Sequence, residues 1–268
     1  MTLRWMLSVT ASSSECSRKA TLADLIQIVA LLLLPLLWEL SPFHQNATNY
    51  SNVLLVPISH GSVFLLSIAA WCLATRAVNV PERRWTAALS MVLLLGALSD
   101  RLVITAIGLP LLAELGIHWA RGASKAKHLA LLAAVSLGLG EVCLRVIERL
   151  MPLGPVPLPL GDTWMQTIVL STTALHRDLI ANPHLFVLCV FLFGWALTLL
   201  SKGRALFADS SDAQMAQVYL ALCFLSSLLT PIVTGVYREG AVRYLVPGIA
   251  CGLVGFCVGN GSSLRRHF

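Results

Sequence analysis

The residues of this chain that can move protons or hold anions are few, and most fall at one end of its apolar segments. Glu39 closes the first apolar run, His44 follows it, and His60 lies within the second. Asp100 and Arg101 form a charged turn between two leucine-rich runs, and Arg238, Glu239, Arg243 and Tyr244 precede the last one. Glu141, Arg145, Glu148 and Arg149 close another run, with 141/145 and 145/149 spaced i,i+4 on one helical face. Asp162, His176, Arg177, Asp178 and His184 flank an amphipathic stretch. An ionisable group inside an apolar segment is costly, so it faces a cavity or a partner. Plainer readings stand beside each of these. The Glu141–Arg149 group also reads as an ion-pair ladder, Arg177–Asp178 as a headgroup anchor, and His60 beside Gly61 as a helix–helix hydrogen bond. Arg243 and Tyr244 also read as an interfacial anchor. The seven cysteines show no CxxC and no His/Cys set at metal-ligand spacing, so they read as small apolar fillers. No metal or cofactor is expected.

The elements that must position these residues follow from composition. Of 268 residues, 57% are hydrophobic and only 12% charged, against about 45–50% and about 25% in a soluble domain. Mean hydropathy is +0.78. So little charge does not cover a globular surface, which excludes a soluble enzyme and a disordered chain. The net charge of +6 comes from scattered basic residues rather than one basic face, which also excludes a nucleic-acid binder. The composition predicts an all-α polytopic transmembrane bundle. A span needs about 20 apolar residues, and eight candidates arise at about 22–40, 53–75, 86–98, 102–119, 128–147, 184–201, 215–237 and 243–259. The third and fourth come from one apolar stretch divided at Ser99-Asp100-Arg101. The Pro/Gly-rich segment 151–163 reads as a loop. Residues 164–182 are too polar to span and fit an interfacial helix on the outer side, with Trp164 at headgroup depth.

Basic residues favour the cytoplasmic side of a membrane. With the N-terminus inside, thirteen of the 19 lysines and arginines fall on inner segments and six on outer ones. The expected organisation is a cytoplasmic tail 1–21, a transmembrane domain 22–259 and a cytoplasmic tail 260–268, in a multi-pass protein of the bacterial inner membrane. The first span reads as retained, because its apolar run exceeds a signal-peptide core and LWELSPFHQ lacks a small-x-small cleavage site.

Three segments, in order, resemble the C-type glycosyltransferase superfamily and its bacterial relatives. They are Glu39 in WELSP followed by His60-Gly61, the helix–turn–helix of residues 92–115 with its charged turn and proline, and GVYREGAVRYLVP at 235–247, similar to an Arg-Tyr-Leu-x-Pro motif leading a late span. The resemblance implies transfer of a sugar from a polyprenyl-phosphate carrier at the extracytoplasmic face, with membrane lipid and a lipid-linked sugar as partners. It would make Glu39 the general base, with Asp100 second. Arg101 and Arg243 would hold the lipid-linked phosphate, with Tyr244 next to Arg243 as a further binding residue, and His60 would orient acceptor or phosphate. The chain departs from the superfamily in its first outer loop, SPFHQNATNYSN, which has no carboxylate, and in having fewer spans and no outer soluble domain. The other reading is a non-catalytic scaffold or a transporter of lipid or small molecules. A carboxylate-lined cavity opening outward favours the enzyme, and a closed bundle with peripheral ion pairs favours the scaffold.

Overall fold

The computed structural model describes residues 61–80, 82–99, 102–150, 164–202, 212–234 and 245–264. They are helical throughout, without a strand among the described residues. Eight α-helices appear: α1 (Gly61–Asn79), α2 (Arg83–Ser99), α3 (Leu109–Ala120), α4 (Ser124–Leu150), α5 (Trp164–Ala181), α6 (Pro183–Ser201), α7 (Asp212–Thr234) and α8 (Val246–Leu264). A π-helical segment, Ile104–Gly108, leads into α3. The predicted span 22–40 lies outside the described residues.

The helices pack as two joined layers. One core is built from α1, α2, α3 and α4 with one face of α7 and α8, around Trp71, Leu93, Ile107, Leu111 and Tyr219. The second core lies where α5 and α6 meet the other face of α7 and α8, around Leu185, Leu192, Phe224 and Ile249. Helix α7 touches α8, α3, α5, α6 and the π segment, which makes it the hub of the bundle. Helix α5 lays Thr167, Ser171, Leu175 and Leu179 inward at spacings of four, the ridge geometry of helix packing.

Small residues bring helices close. A Cβ built on Gly140 of α4 would stand 2.7 Å from the Ala97 Cβ and 2.8 Å from the Leu94 carbonyl of α2. Contacts of this kind let backbones approach where no hydrophobic effect drives helices together.

The corners are set by backbone chemistry. Between α3 and α4, Gly122 has φ +89°. Its N–H donates to the Trp119 carbonyl (2.9 Å), and the Ala123 N–H donates to that of His118 (3.1 Å). This is the Schellman pattern, which favours glycine at the left-handed position. Between α5 and α6 stands a single residue, Asn182, ahead of Pro183. A residue before proline is pushed out of the helical region, and Asn182 has φ −126° and ψ 71°. Its Nδ2 donates to the Asp178 carbonyl (2.8 Å), a group the broken helix leaves behind.

The π segment has a similar cause. The Leu109 N–H reaches back five residues to the Ile104 carbonyl. In that register the next donor would serve the Thr105 carbonyl, but the next residue is Pro110, which has none. The Ser226 hydroxyl of α7 donates to the Thr105 carbonyl instead. Replacing Ser226 with alanine leaves that acceptor without its partner, at a cost of about 1 kcal/mol. Thermal unfolding of the purified variant checks this.

Several predicted limits move. Helix α4 begins at Ser124, ahead of the expected 128, because Ala123 completes the preceding cap and the polar Ser-Lys-Ala-Lys-His sequence continues the helix without being apolar. Helix α8 runs to Leu264, past the expected start of the C-terminal tail at 260. Two helices among the described residues are long and apolar enough to cross a membrane, Ser124–Ile147 and Pro183–Ser201. The apolar stretches Val63–Asn79, Ile104–Ala120, Gln214–Thr230 and Val246–Val258 are shorter, at 10–17 residues. The described helices do not by themselves amount to eight full spans.

Candidate functional site

The polar centre of the described bundle is Glu114 on α3, one turn beyond Pro110. Its side chain is 3% exposed. The Trp71 indole N–H of α1 donates to Glu114 Oε1 at 2.9 Å. His118, one turn further along α3, places Nε2 3.9 Å from the same oxygen. The Tyr219 hydroxyl donates to the Ser67 carbonyl of α1 at 3.0 Å, and Ser67 lies one turn before Trp71. Helices α1 and α3 thus meet at one buried carboxylate, with α7 tied to α1 beside them.

Local sequence explains the convergence. Trp71 and Ser67 are spaced i,i+4, as are Glu114 and His118, and Tyr219 and Cys223, so each helix offers one polar stripe. A buried carboxylate needs hydrogen bonds, and an indole N–H donor satisfies that need while its ring fills apolar space. The arrangement can bind and release a proton, or tie α1 to α3. Among the described residues, no group of three or more His, Cys, Asp or Glu is placed to hold a metal ion.

All six sequence-predicted site residues lie outside the described residues: the catalytic candidates Glu39 and Asp100, and the substrate-binding candidates His60, Arg101, Arg243 and Tyr244. The positions flanking two of them are described, since Ser99 closes α2 and the described residues resume at Leu102. The secondary groups divide. Glu141 Oε1 and Arg145 Nε pair at 2.7 Å, with the arginine side chain 66% exposed, so this pair sits on the exterior of α4. His176 and Arg177 are exposed on α5, whereas Asp178 is half-buried. Cys72, Cys189, Cys223, Cys251 and Cys257 are buried thiols, as small apolar fillers should be, and Cys143 instead faces outward on α4.

Sequence reasoning missed Glu114, His118 and Trp71. The signal was present in LAELGIHW, where an acid and a histidine stand i,i+4 inside the predicted span 102–119. Attention to the outer ends of the spans passed over it.

Just beyond this centre, at the ends of α1 and α3, the bundle carries a second polar feature. The Arg76 and Arg84 guanidiniums lie over the Trp85 ring, at 5.5 and 4.9 Å from its centroid, and Lys127 Nζ lies 5.6 Å from that of Trp119. Arg84 also pairs with Glu82. Basic groups held over tryptophans mark this end as interfacial in character. Compared with protein families, with characterised proteins and with solved structures, the chain matches none, so its likeness to the C-type glycosyltransferases rests on the three sequence segments alone.

Proposed function

We propose that this chain is a polytopic integral membrane protein that handles a phosphate-bearing lipid. One observation carries the membrane reading: the two helices long enough to cross a bilayer are each only 22% buried over their apolar windows. The core helix of a soluble protein is mostly covered. Here Leu131, Val135, Leu139 and Val142 of α4, with Val187 and Val190 of α6, stand more than half or nearly half exposed. An apolar surface of that extent is unfavourable in water and suited to lipid. The aromatic and basic groups at one end agree with a cytoplasmic face there, and with N- and C-termini on that side in an arrangement of about eight spans.

The specific reading is sugar transfer from a polyprenyl-phosphate carrier at the opposite face, with Glu39 as general base and Arg101 and Arg243 on the phosphate. The order of the three resembling segments supports it. In cells carrying Glu39→Gln or Arg243→Ala, a lipid-linked sugar is expected to accumulate and one surface glycan to disappear, as read by mass spectrometry. Unchanged profiles in both variants would sink the catalytic assignment. The Glu141–Arg145 pair on the exterior of α4 favours a second reading, a non-catalytic scaffold. Under it, deletion of the gene changes no lipid-linked sugar but lowers the amount of a partner protein in the membrane.

A further inference from the structure

At the end of the bundle that carries Trp85 and Trp119, a cleft of about 340 Å³ opens between the α1–α2 corner and the start of α4. Arg83 and Thr86 of α2 line it together with one face of α4, on which Lys125 and His128 stand beside Leu129 and Leu132. Glu82 also borders it, but its carboxylate is engaged by Arg84. The first turns of α2 and α4 both contribute to the lining, and the N-terminal end of a helix adds a partial positive charge. The cleft thus brings basic groups beside an apolar wall, Leu129 and Leu132 of α4.

The apolar wall continues out of the cleft. Leu132 is 37% exposed, and along the same helix Leu131, Val135 and Leu139 present a continuous outward strip, each at least half exposed. We propose that this cleft binds the headgroup phosphate of an anionic phospholipid, with the acyl chains lying along that strip of α4. A free phosphate ion would use only the basic groups. The apolar strip running out of the same opening is what points to a lipid. This inference rests on the membrane reading above and not on sugar transfer, since none of the catalytic candidates lines the cleft.

The test uses the full chain, purified and placed in phosphatidylcholine bilayers containing phosphatidylglycerol as the probe, with protein-bound lipid read by mass spectrometry. The wild type is expected to retain phosphatidylglycerol above its bulk share. The Arg83→Ala/Lys125→Ala variant should lower that retention by about fivefold for each charge removed. Arg83→Lys/Lys125→Arg should keep it, and Lys202→Ala, at the end of α6, should leave it unchanged. Leu132→Ser should weaken it with all charges in place. Unchanged retention in the double alanine variant would overturn the proposal, and so would equal loss in Lys202→Ala, which is general surface attraction. Displacement of the lipid by inorganic phosphate would make the cleft a free-anion site and also overturn it. Alkaline washing of the same membranes separates the two readings. A chain that stays in the membrane without preferring phosphatidylglycerol sinks only the cleft, whereas a chain that washes off sinks the membrane reading as well.

Discussion

Glu114→Ala is expected to cost about 4 kcal/mol of stability, from two sources. It leaves the buried Trp71 indole N–H without its acceptor, at about 1–3 kcal/mol, and it opens a cavity where α1, α3 and α7 meet, for which truncations of core side chains cost about 2–5 kcal/mol. Against a total stability of about 5–15 kcal/mol, that is a large share. Glu114→Gln keeps an oxygen for the indole and nearly the same volume, so it should stay within about 1 kcal/mol of the wild type. Unfolding of detergent-solubilised protein followed by circular dichroism distinguishes the two variants. Equal damage from both would mean that the carboxylate itself is required, and would turn a structural bond into a proton-binding group. No loss in Glu114→Ala would show that the Trp71 bond (2.9 Å) carries no stability.

The second large effect is expected at Gly140. Its hypothetical Cβ meets Ala97 at 2.7 Å and the Leu94 carbonyl at 2.8 Å, and neither is the end of a flexible side chain. Gly140→Ala should therefore push α2 and α4 apart and cost about 1–3 kcal/mol, with Gly140→Val worse. Pairing Gly140→Ala with Ala97→Gly removes the side-chain clash but not the backbone one. The double variant should therefore recover part of the loss, and the two changes should be non-additive because the residues touch. Additive losses would mean that the helices do not meet there. The same unfolding experiment reads the outcome.

Much of this fold was legible because apolar length and helix punctuation are local properties. Helix α2 ends at Ser99 and helix resumes at Leu102, on either side of the charged pair expected to divide one long apolar stretch, and that pair lies outside the described residues. The Pro/Gly-rich segment 151–163, expected as a loop, also lies outside them. What escaped depends on which residues meet across helices. Glu114 and Trp71 are 43 residues apart, and no periodicity within one helix says that they share a hydrogen bond. The cationic cleft escaped for the same reason. Arg83 and Lys125 each read as ordinary inner-side charge, and only folding places them in one cleft.

The π segment has a consequence for how this bundle can change. One extra residue in the helix before α3 turns everything beyond it by about 100° relative to an uninterrupted helix. Glu114, Leu111 and Leu115 face the interior on the far side of that turn. Shortening Ile104–Gly108 by one residue would restore ordinary winding and swing Glu114 away from Trp71, with no change to the acid itself. The orientation of the buried acid is thus written in the length of the segment before it. An insertion or deletion six to ten residues upstream of Glu114 would alter this centre as thoroughly as a substitution within it.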